Sequence, residues 1–221
     1  MPNSTFFNLP EPKRQKIIDL AIAEFASRDY DSASISNVVK QAKIAKGSFY
    51  QYFADKKDLY LYLVELAMQQ KIAFLKAAHP PQPQMGFFPH LRWLFSASTQ
   101  FDLSHPALSQ IVNRAMYGDV PFREDVLQRT QFASSGYLYD LIKGGIEQGD
   151  INASVSPDLA LFVINGLSSG LRDFIPQQLG LDTEQLAQGT PPELDMTAIE
   201  KIFDDLVQVL EQGLGQPLSP T

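Results

Sequence analysis

An all-α chain in two modules is the fold class this sequence predicts, and three observations predict it. No segment of the 221 residues sustains the period-two alternation of a half-buried strand. Apolar residues recur instead at three- and four-residue spacing in one segment after another. Between two such sets stands His79-Pro80-Pro81-Gln82-Pro83, which cannot be helix interior because proline removes a donor and clashes with the preceding turn. At roughly 100–200 residues per domain the length fits one large domain or two small ones, and the prolines divide it near residue 79.

The elements follow in order. After Lys13-Arg14-Gln15-Lys16, the residues Ile18, Ala21, Ile22 and Phe25 mark a first amphipathic helix. Two short helices with a tight turn occupy about 34–53. From Lys57 to Ala78 there is neither Gly nor Pro, and Leu59, Leu63, Leu66 and Phe74 form an apolar stripe. At 1.5 Å per residue that helix is roughly 33 Å long, enough to leave one module and reach another. Beyond the prolines, helices are expected over Phe88–Phe101, Pro106–Tyr117, Phe122–Gln148 and from Ser156-Pro157-Asp158 to about Gln178. Serine as N-cap with proline at the first helical position is a strong start signal. Leu179–Pro192 reads as a loop, Ala198–Leu210 as a last amphipathic helix closed by Gly213 and Gly215, and Gln216–Thr221 as a frayed tail.

Composition excludes several classes. Zero cysteines remove disulfide scaffolds, thiolate zinc sites and cysteine nucleophiles. His79, His90 and His105 make no metal pattern on a single helix, so neither metal nor cofactor is expected. No apolar run approaches the ~18 residues of a membrane span. The opening Met-Pro-Asn-Ser-Thr-Phe-Phe meets Pro10 and Pro12 before any signal-peptide core develops. A cytoplasmic protein without membrane attachment is the expectation.

A net charge of -7 argues at first against nucleic acid, but the total conceals a split. Residues 1–78 hold 11 Lys and Arg against 8 Asp and Glu, a net of +3, and the remainder holds 7 against 17, a net of -10. Lys40, Lys43, Lys46, Lys56 and Lys57 face Asp55 alone within residues 32–57. A basic first part and an acidic remainder mark two modules, although a locally basic stretch also describes an ordinary solvated face.

The most informative stretch runs from Ser34 to Phe53. Ser34 can cap a helix whose buried side is Ile35, Val38 and Val39; Ala42 is small where two helices cross, and Ile44 plugs the turn. The second helix has four aromatics within the five residues 49–53. At about 100° per residue, Phe49 and Phe53 share one face, Gly47, Ser48 and Gln51 the opposite one, with Tyr50 and Tyr52 on its flanks. Small side chains let a backbone approach a major groove, glutamine pairs with an adenine edge, and hydroxyls or the nearby Lys56 hold phosphates. A helix rich in Phe and Tyr also describes plain core, and Gly47 within a helix costs about 1 kcal/mol relative to Ala. Periodicity alone leaves both readings open.

The run from Lys13 to about Lys71 resembles the DNA-binding domain of TetR-type transcriptional regulators. The resemblance is carried by Phe25, Tyr30, Ser34-Ile35, Val38-Val39, Gln41-Ala42, Lys46-Gly47-Ser48-Phe49-Tyr50, Tyr52-Phe53, Lys56 and Leu59, in order and spacing. It implies a helix-turn-helix domain over residues 11–71, with the motif at about 34–53. It implies phosphate contacts from Ser34, Tyr50, Tyr52 and Lys56, and base contacts from Ser36, Lys46, Gly47, Ser48 and Gln51. Two residues depart from the pattern. Lys43 stands where the family usually has Gly, and in a left-handed conformation it would cost roughly 1–2 kcal/mol. Ala45 replaces the usual Ser or Thr cap, forgoing roughly 1 kcal/mol.

The resemblance further implies that residues 80–215 form a helical effector-binding and dimerisation domain. Its pocket would take a small apolar or amphipathic effector among Phe88, Phe95, Tyr117, Phe132 and Phe162. Arg92 and Arg114, rare basic residues in an acidic module, read either as its polar anchors or, as is more common on such helices, as solvated or salt-bridged surface residues. The segment opening at Ser156-Pro157-Asp158-Leu159-Ala160 resembles the family's penultimate helix, which pairs with the last in a homodimer. Gly166 and Gly170 share a face open to close approach, and Leu167, Leu171, Phe174, Ile202, Leu206 and Val209 supply apolar area. The implied partner is a palindromic duplex operator, with repression relieved by the effector. Two rival readings remain. Gly166-Leu167-Ser168-Ser169-Gly170 matches the serine-esterase elbow, although all three His precede Ser168 and the elbow's His follows its Ser. The basic patch also fits a nucleic-acid-binding protein without sequence preference.

Overall fold

The computed structural model describes residues 2–80, 85–180 and 195–215, apart from the side chains of residues 129–135 and 172. Helices α1 (Ser4–Phe7), α2 (Glu11–Ser27), α3 (Ile35–Ala42), α4 (Lys46–Tyr52) and α5 (Lys56–Ala78) come first. Helices α6 (Phe87–Ser104), α7 (Pro106–Tyr117), α8 (Arg123–Gln148), α9 (Pro157–Gln178) and α10 (Met196–Leu214) follow. Among the described residues there is no strand, only an isolated bridge between Ile151 and Gly215. The fold is all-α, as the spacing predicts. The expected loop coincides with the described structure at Leu179 and Gly180 only; residues 181–194, the prolines at 81 and 83, and the tail from 216 lie outside the described residues.

Local chemistry explains most boundaries. Proline sits in the first turn of α2, α7 and α9, where a missing N–H costs nothing. Ser156 is the N-cap of α9, although its hydroxyl makes no cap bond. At α10 the Asp195 carboxylate accepts from the backbone N–H groups of Thr197 and Ala198 at 3.0 and 3.2 Å, the usual repair of a helix's unsatisfied first donors. The first helix, α1, is absent from the sequence reading, because four residues carry no periodicity to detect.

The chain divides into two compact units. The first joins α1–α4 and the α5 residues up to Ile72 with residues 105–130. Phe6, Ile17, Phe25, Phe49, Phe53, Leu59, Tyr60, Leu63 and Ile111 are its largest fully buried side chains. Here α2 packs against both α3 and α7. The Arg114 guanidinium of α7 donates to the Phe25 carbonyl near the end of α2 at 3.2 Å. A contact boundary at residue 80 is therefore too simple: α7 and the start of α8 pack with the first unit, because Ile111, Ala115, Val120, Phe122 and Val126 bury into its core.

The second unit contains α6, most of α8, α9 and α10. Its core gathers Phe87, Phe88, Leu91, Phe95, Ile142, Ile164, Ile199 and Phe203. Helices α6 and α10 are joined by polar contacts as well. Arg92 pairs with Glu200 at 3.0 Å and with Asp204, and Ser96 donates to Glu200.

Candidate nucleic-acid interface

The interface begins with the crossing of α3 on α2. Ser34 is the N-cap of α3, but its hydroxyl makes no cap bond. The cap comes from another helix: Glu24, on α2 and 8% exposed, accepts the Ser34 backbone N–H at 2.8 Å and the Asn37 amide at 3.2 Å. Arg28 lies 3.5 Å from the same carboxylate. A buried carboxylate with those partners is satisfied, and the Ser34 hydroxyl is left off the cap. Sequence reading missed Glu24, whose carboxylate takes its role only once α2 and α3 cross.

The turn follows from α3. Lys43 closes it in the left-handed region, at φ 57° and ψ 44°, where its N–H reaches the Lys40 carbonyl at 3.2 Å. The departure from glycine therefore carries its conformational cost in full. Ile44 packs into the core from the turn, and Ala45 stands as N-cap of α4 without any side-chain cap bond.

Helix α4 divides its faces as the wheel predicts, with one exception. Phe49 and Phe53 are 1% and 0% exposed and stack at 5.5 Å. Lys46, Gly47, Tyr50 and Gln51 are exposed, Ser48 partly so, and an added Cβ at Gly47 would meet nothing within 4 Å. Ser36 on α3 is exposed as well. Tyr52 is the correction: its ring is buried against Phe6, with centroids 6.0 Å apart. The wheel placed it on a flank because a wheel knows nothing of α1, which covers that side. Tyr50 alone remains as a phenol beside the open face.

Lys56 starts α5 and donates to the Asp31 carbonyl at 3.1 Å, with its ammonium 4.6 Å from the Tyr30 ring centroid. Partial burial lowers its pKa, countered by Asp31 and Glu24. An ammonium has three donors, so the contact positions the group without exhausting it.

Of the residues expected to line an effector pocket, Phe88, Arg92, Phe95 and Phe162 belong to the second unit. Arg92 is committed to Glu200 and Asp204, and holds the Asp204 carboxyl below its usual range through their hydrogen bond. Arg114 and Tyr117 belong to the first unit, where Arg114 fastens α7 to α2 and Tyr117 is exposed. Phe88 packs on Phe87 and Phe95 stacks on Phe203. Phe162 points out of α9 at 73% exposure, and the Phe132 side chain lies outside the described residues. Aromatic content reports apolar volume and says nothing of which ring faces a cavity, so the expected set mixes core, surface and ion-pair residues.

The same outward side of α9 carries Leu159, Gly166, Gly170 and Phe174, with open space above both glycines. Val209 is exposed on α10, while Leu167, Leu171, Ile202 and Leu206 are half-buried. The esterase reading fails on geometry. Gly166–Gly170 lies inside a continuous helix where an elbow needs a strand-to-helix turn, and the Ser168 hydroxyl donates to the Ile164 carbonyl at 2.7 Å.

A short exposed helix held by a turn against a second helix, with its aromatic side inward, defines a helix-turn-helix DNA-binding protein. The family model for bacterial regulatory proteins of the tetR family matches residues 17–63, and that for the tetracyclin repressor-like C-terminal domain matches 85–215. The chain belongs to the tetR family and is a DNA-binding transcriptional regulator. A TetR family transcriptional regulator from Chloroflexus aurantiacus J-10-fl is 39% identical, with a TM-score of 0.80 over 98% of this chain and 100% of that one. The FadR regulator of Bacillus subtilis, solved with stearoyl-CoA, shares the fold at a TM-score of 0.70 and 18% identity, covering 90% of this chain and 98% of that one. Among curated sequences, the HTH-type transcriptional regulator YhgD of Bacillus subtilis is 25% identical over 79% of this chain and 91% of its own length. No helix of the described residues is long and apolar enough to cross a membrane.

Proposed function

We propose that the protein is a cytoplasmic homodimer that reads a palindromic operator with one α4 from each protomer and is released from it by a small amphipathic effector. The observation that carries the reading is the bare face of α4. Gly47 has open space where a Cβ would stand, and Lys46 and Gln51 are exposed beside it, while Phe49 and Phe53 hold the opposite side in the core. Base contact falls to Ser36, Lys46, Gly47, Ser48 and Gln51, and phosphate contact to Ser34, Tyr50 and Lys56. The domain division proposed is residues 11–71 for DNA and 80–215 for effector and dimer, with α7 functionally in the second and packed with the first.

Pairing rests on the outward face of α9 and α10. Leu159, Phe162, Phe174 and Val209 are each 45% or more exposed, and two-fold symmetry is the commonest way for a soluble chain to cover such a face. Two half-sites about 34 Å apart then match two copies of α4. The effector acts only if it binds the DNA-competent and DNA-incompetent states with different affinity. Stearoyl-CoA in a fold neighbour makes a long acyl thioester the first probe.

The test selects duplexes from a random pool with the full chain. The reading expects one palindrome preferred over random duplex by ~10³ or more at physiological salt, and its release by the acyl thioester or another screened amphiphile. Gln51→Ala should alter preference at one position in each half-site, costing about 1–3 kcal/mol there. Equal affinity for all duplexes would leave a non-specific nucleic-acid-binding protein instead.

A further inference from the structure

We propose that the segment before α2 is a clamp on the recognition helix, with Asn3 and Phe6 as positioning residues for operator specificity. The inference rests on α4 being the reading helix, and adds to it a part of the chain that precedes the family's helix-turn-helix match at residues 17–63.

The physical problem lies at the C-terminal end of α4. A seven-residue helix is far below the length that holds itself together in water, and its last carbonyls lack intrahelical partners. The Phe53 N–H returns to the Phe49 carbonyl at 2.9 Å. Two of the remaining carbonyls are served by one residue from far along the chain. The Asn3 backbone N–H donates to the Tyr52 carbonyl at 2.8 Å, and the Asn3 side-chain amide donates to the Gln51 carbonyl at 3.2 Å. Both acceptors lie in the turn that carries the Tyr50 and Gln51 side chains.

Phe6 makes the second half of the clamp. It is 0% exposed, with its ring centroid 4.7 Å from Phe53, 6.0 Å from Tyr52 and 5.8 Å from Tyr62. It therefore wedges between the end of α4 and the start of α5. Arg14 of α2 anchors the wedge by donating to the Phe7 carbonyl at 2.9 Å. The end of α4 is thus held from one side by core packing of Phe49 and from the other by α1. Without α1, the Tyr52 ring loses its cover and the last turn of α4 loses two donors. The tilt that aims Gln51 then relaxes, while the lysines that attract any duplex keep their place.

This separation makes the clamp testable. The full-length protein and the variants Asn3→Ala, Phe6→Leu, Phe6→Ala and a form lacking residues 2–9 are titrated with the duplex selected by the wild type and with random duplex. Thermal melting is followed alongside. Asn3→Ala removes only the amide contact at an exposed position and should lower affinity for the selected duplex about three- to tenfold. Phe6→Ala and removal of 2–9 should lower it further, Phe6→Leu should restore most of it, and affinity for random duplex and its salt slope should stay within about twofold of wild type. An unchanged preference in the form lacking 2–9 overturns the proposal. So does a parallel loss on both duplexes in the melted-out variants together with no effect of Asn3→Ala, which reduces α1 to a stabilising element. A wild type that shows no preference at all overturns the operator reading itself, and the clamp with it.

Discussion

Lys43 and Tyr60 show how far single residues depart from what their type predicts. Lys43 occupies the left-handed region at the turn between α3 and α4, which a residue with a Cβ enters at roughly 1–2 kcal/mol. Lys43→Gly should therefore raise stability by about 1 kcal/mol in urea unfolding, less the entropy glycine adds to the unfolded chain; a loss of stability would show that the lysine side chain repays its backbone. Tyr60 is buried and donates to the Ile111 carbonyl at 3.4 Å, and burial pushes its hydroxyl up to about 12 from a usual value of 10.0. The raised value means the neutral phenol is favoured in the folded state. Its contribution is complete below pH 10 and is lost as pH rises from there through about 12. Tyr60→Phe should flatten that alkaline limb of unfolding free energy against pH, and an identical limb in the variant would place the titration elsewhere.

Among elements, the pairing of α3 with α2 depends on one carboxylate. Glu24 accepts the N–H of the N-cap residue Ser34 together with the Asn37 side-chain amide, while the Ser34 hydroxyl makes no cap bond. Glu24→Ala leaves a half-buried backbone donor unsatisfied and should destabilise the protein by about 1–3 kcal/mol in chemical denaturation. Operator affinity should fall with it, because α3 carries α4. A variant as stable as wild type would mean that water or Ser34 itself takes the vacated place. The contrast with Arg92 is instructive. Its pairs with Glu200 and Asp204 join α6 to α10 near the surface, where exposed ion pairs contribute only about 0–1 kcal/mol. The aromatic packing of Phe95 on Phe203 is the stronger tie between those helices.

For the whole molecule, the question is what the outward face of α9 meets. Phe162 and Gly166 share that face with exposed Leu159 and Phe174, and the exposed Asp173 is the charge that stands beside them. Phe162→Asp should shift the protein from dimer to monomer in sedimentation and lower operator affinity steeply, because two half-sites are then bound independently. A dimer that survives Phe162→Asp together with Val209→Asp would place the interface on another surface. The charge asymmetry belongs to the same scale. A +3 stretch before residue 79 draws the helix-turn-helix residues toward a duplex, whereas the -10 remainder is repelled by phosphate.

The sequence by itself determined the all-α class, the helix boundaries to within a few residues, the aromatic and open faces of α4, and the family. Each of these depends on local periodicity or on residues close together in the chain, which is information a linear text holds. Only the tertiary structure decided that Glu24 caps α3, that Tyr52 turns inward under Phe6, and that α7 packs with the first unit. It also decided that Arg92 and Arg114 are spent on carboxylates and a carbonyl of their own units. These partners are separated by between 10 and 112 residues, and a helical wheel drawn for one element contains no term for its neighbours. Burial and hydrogen bonding are settled by what lies across the interface, so the role of a side chain becomes fixed only when the helices cross.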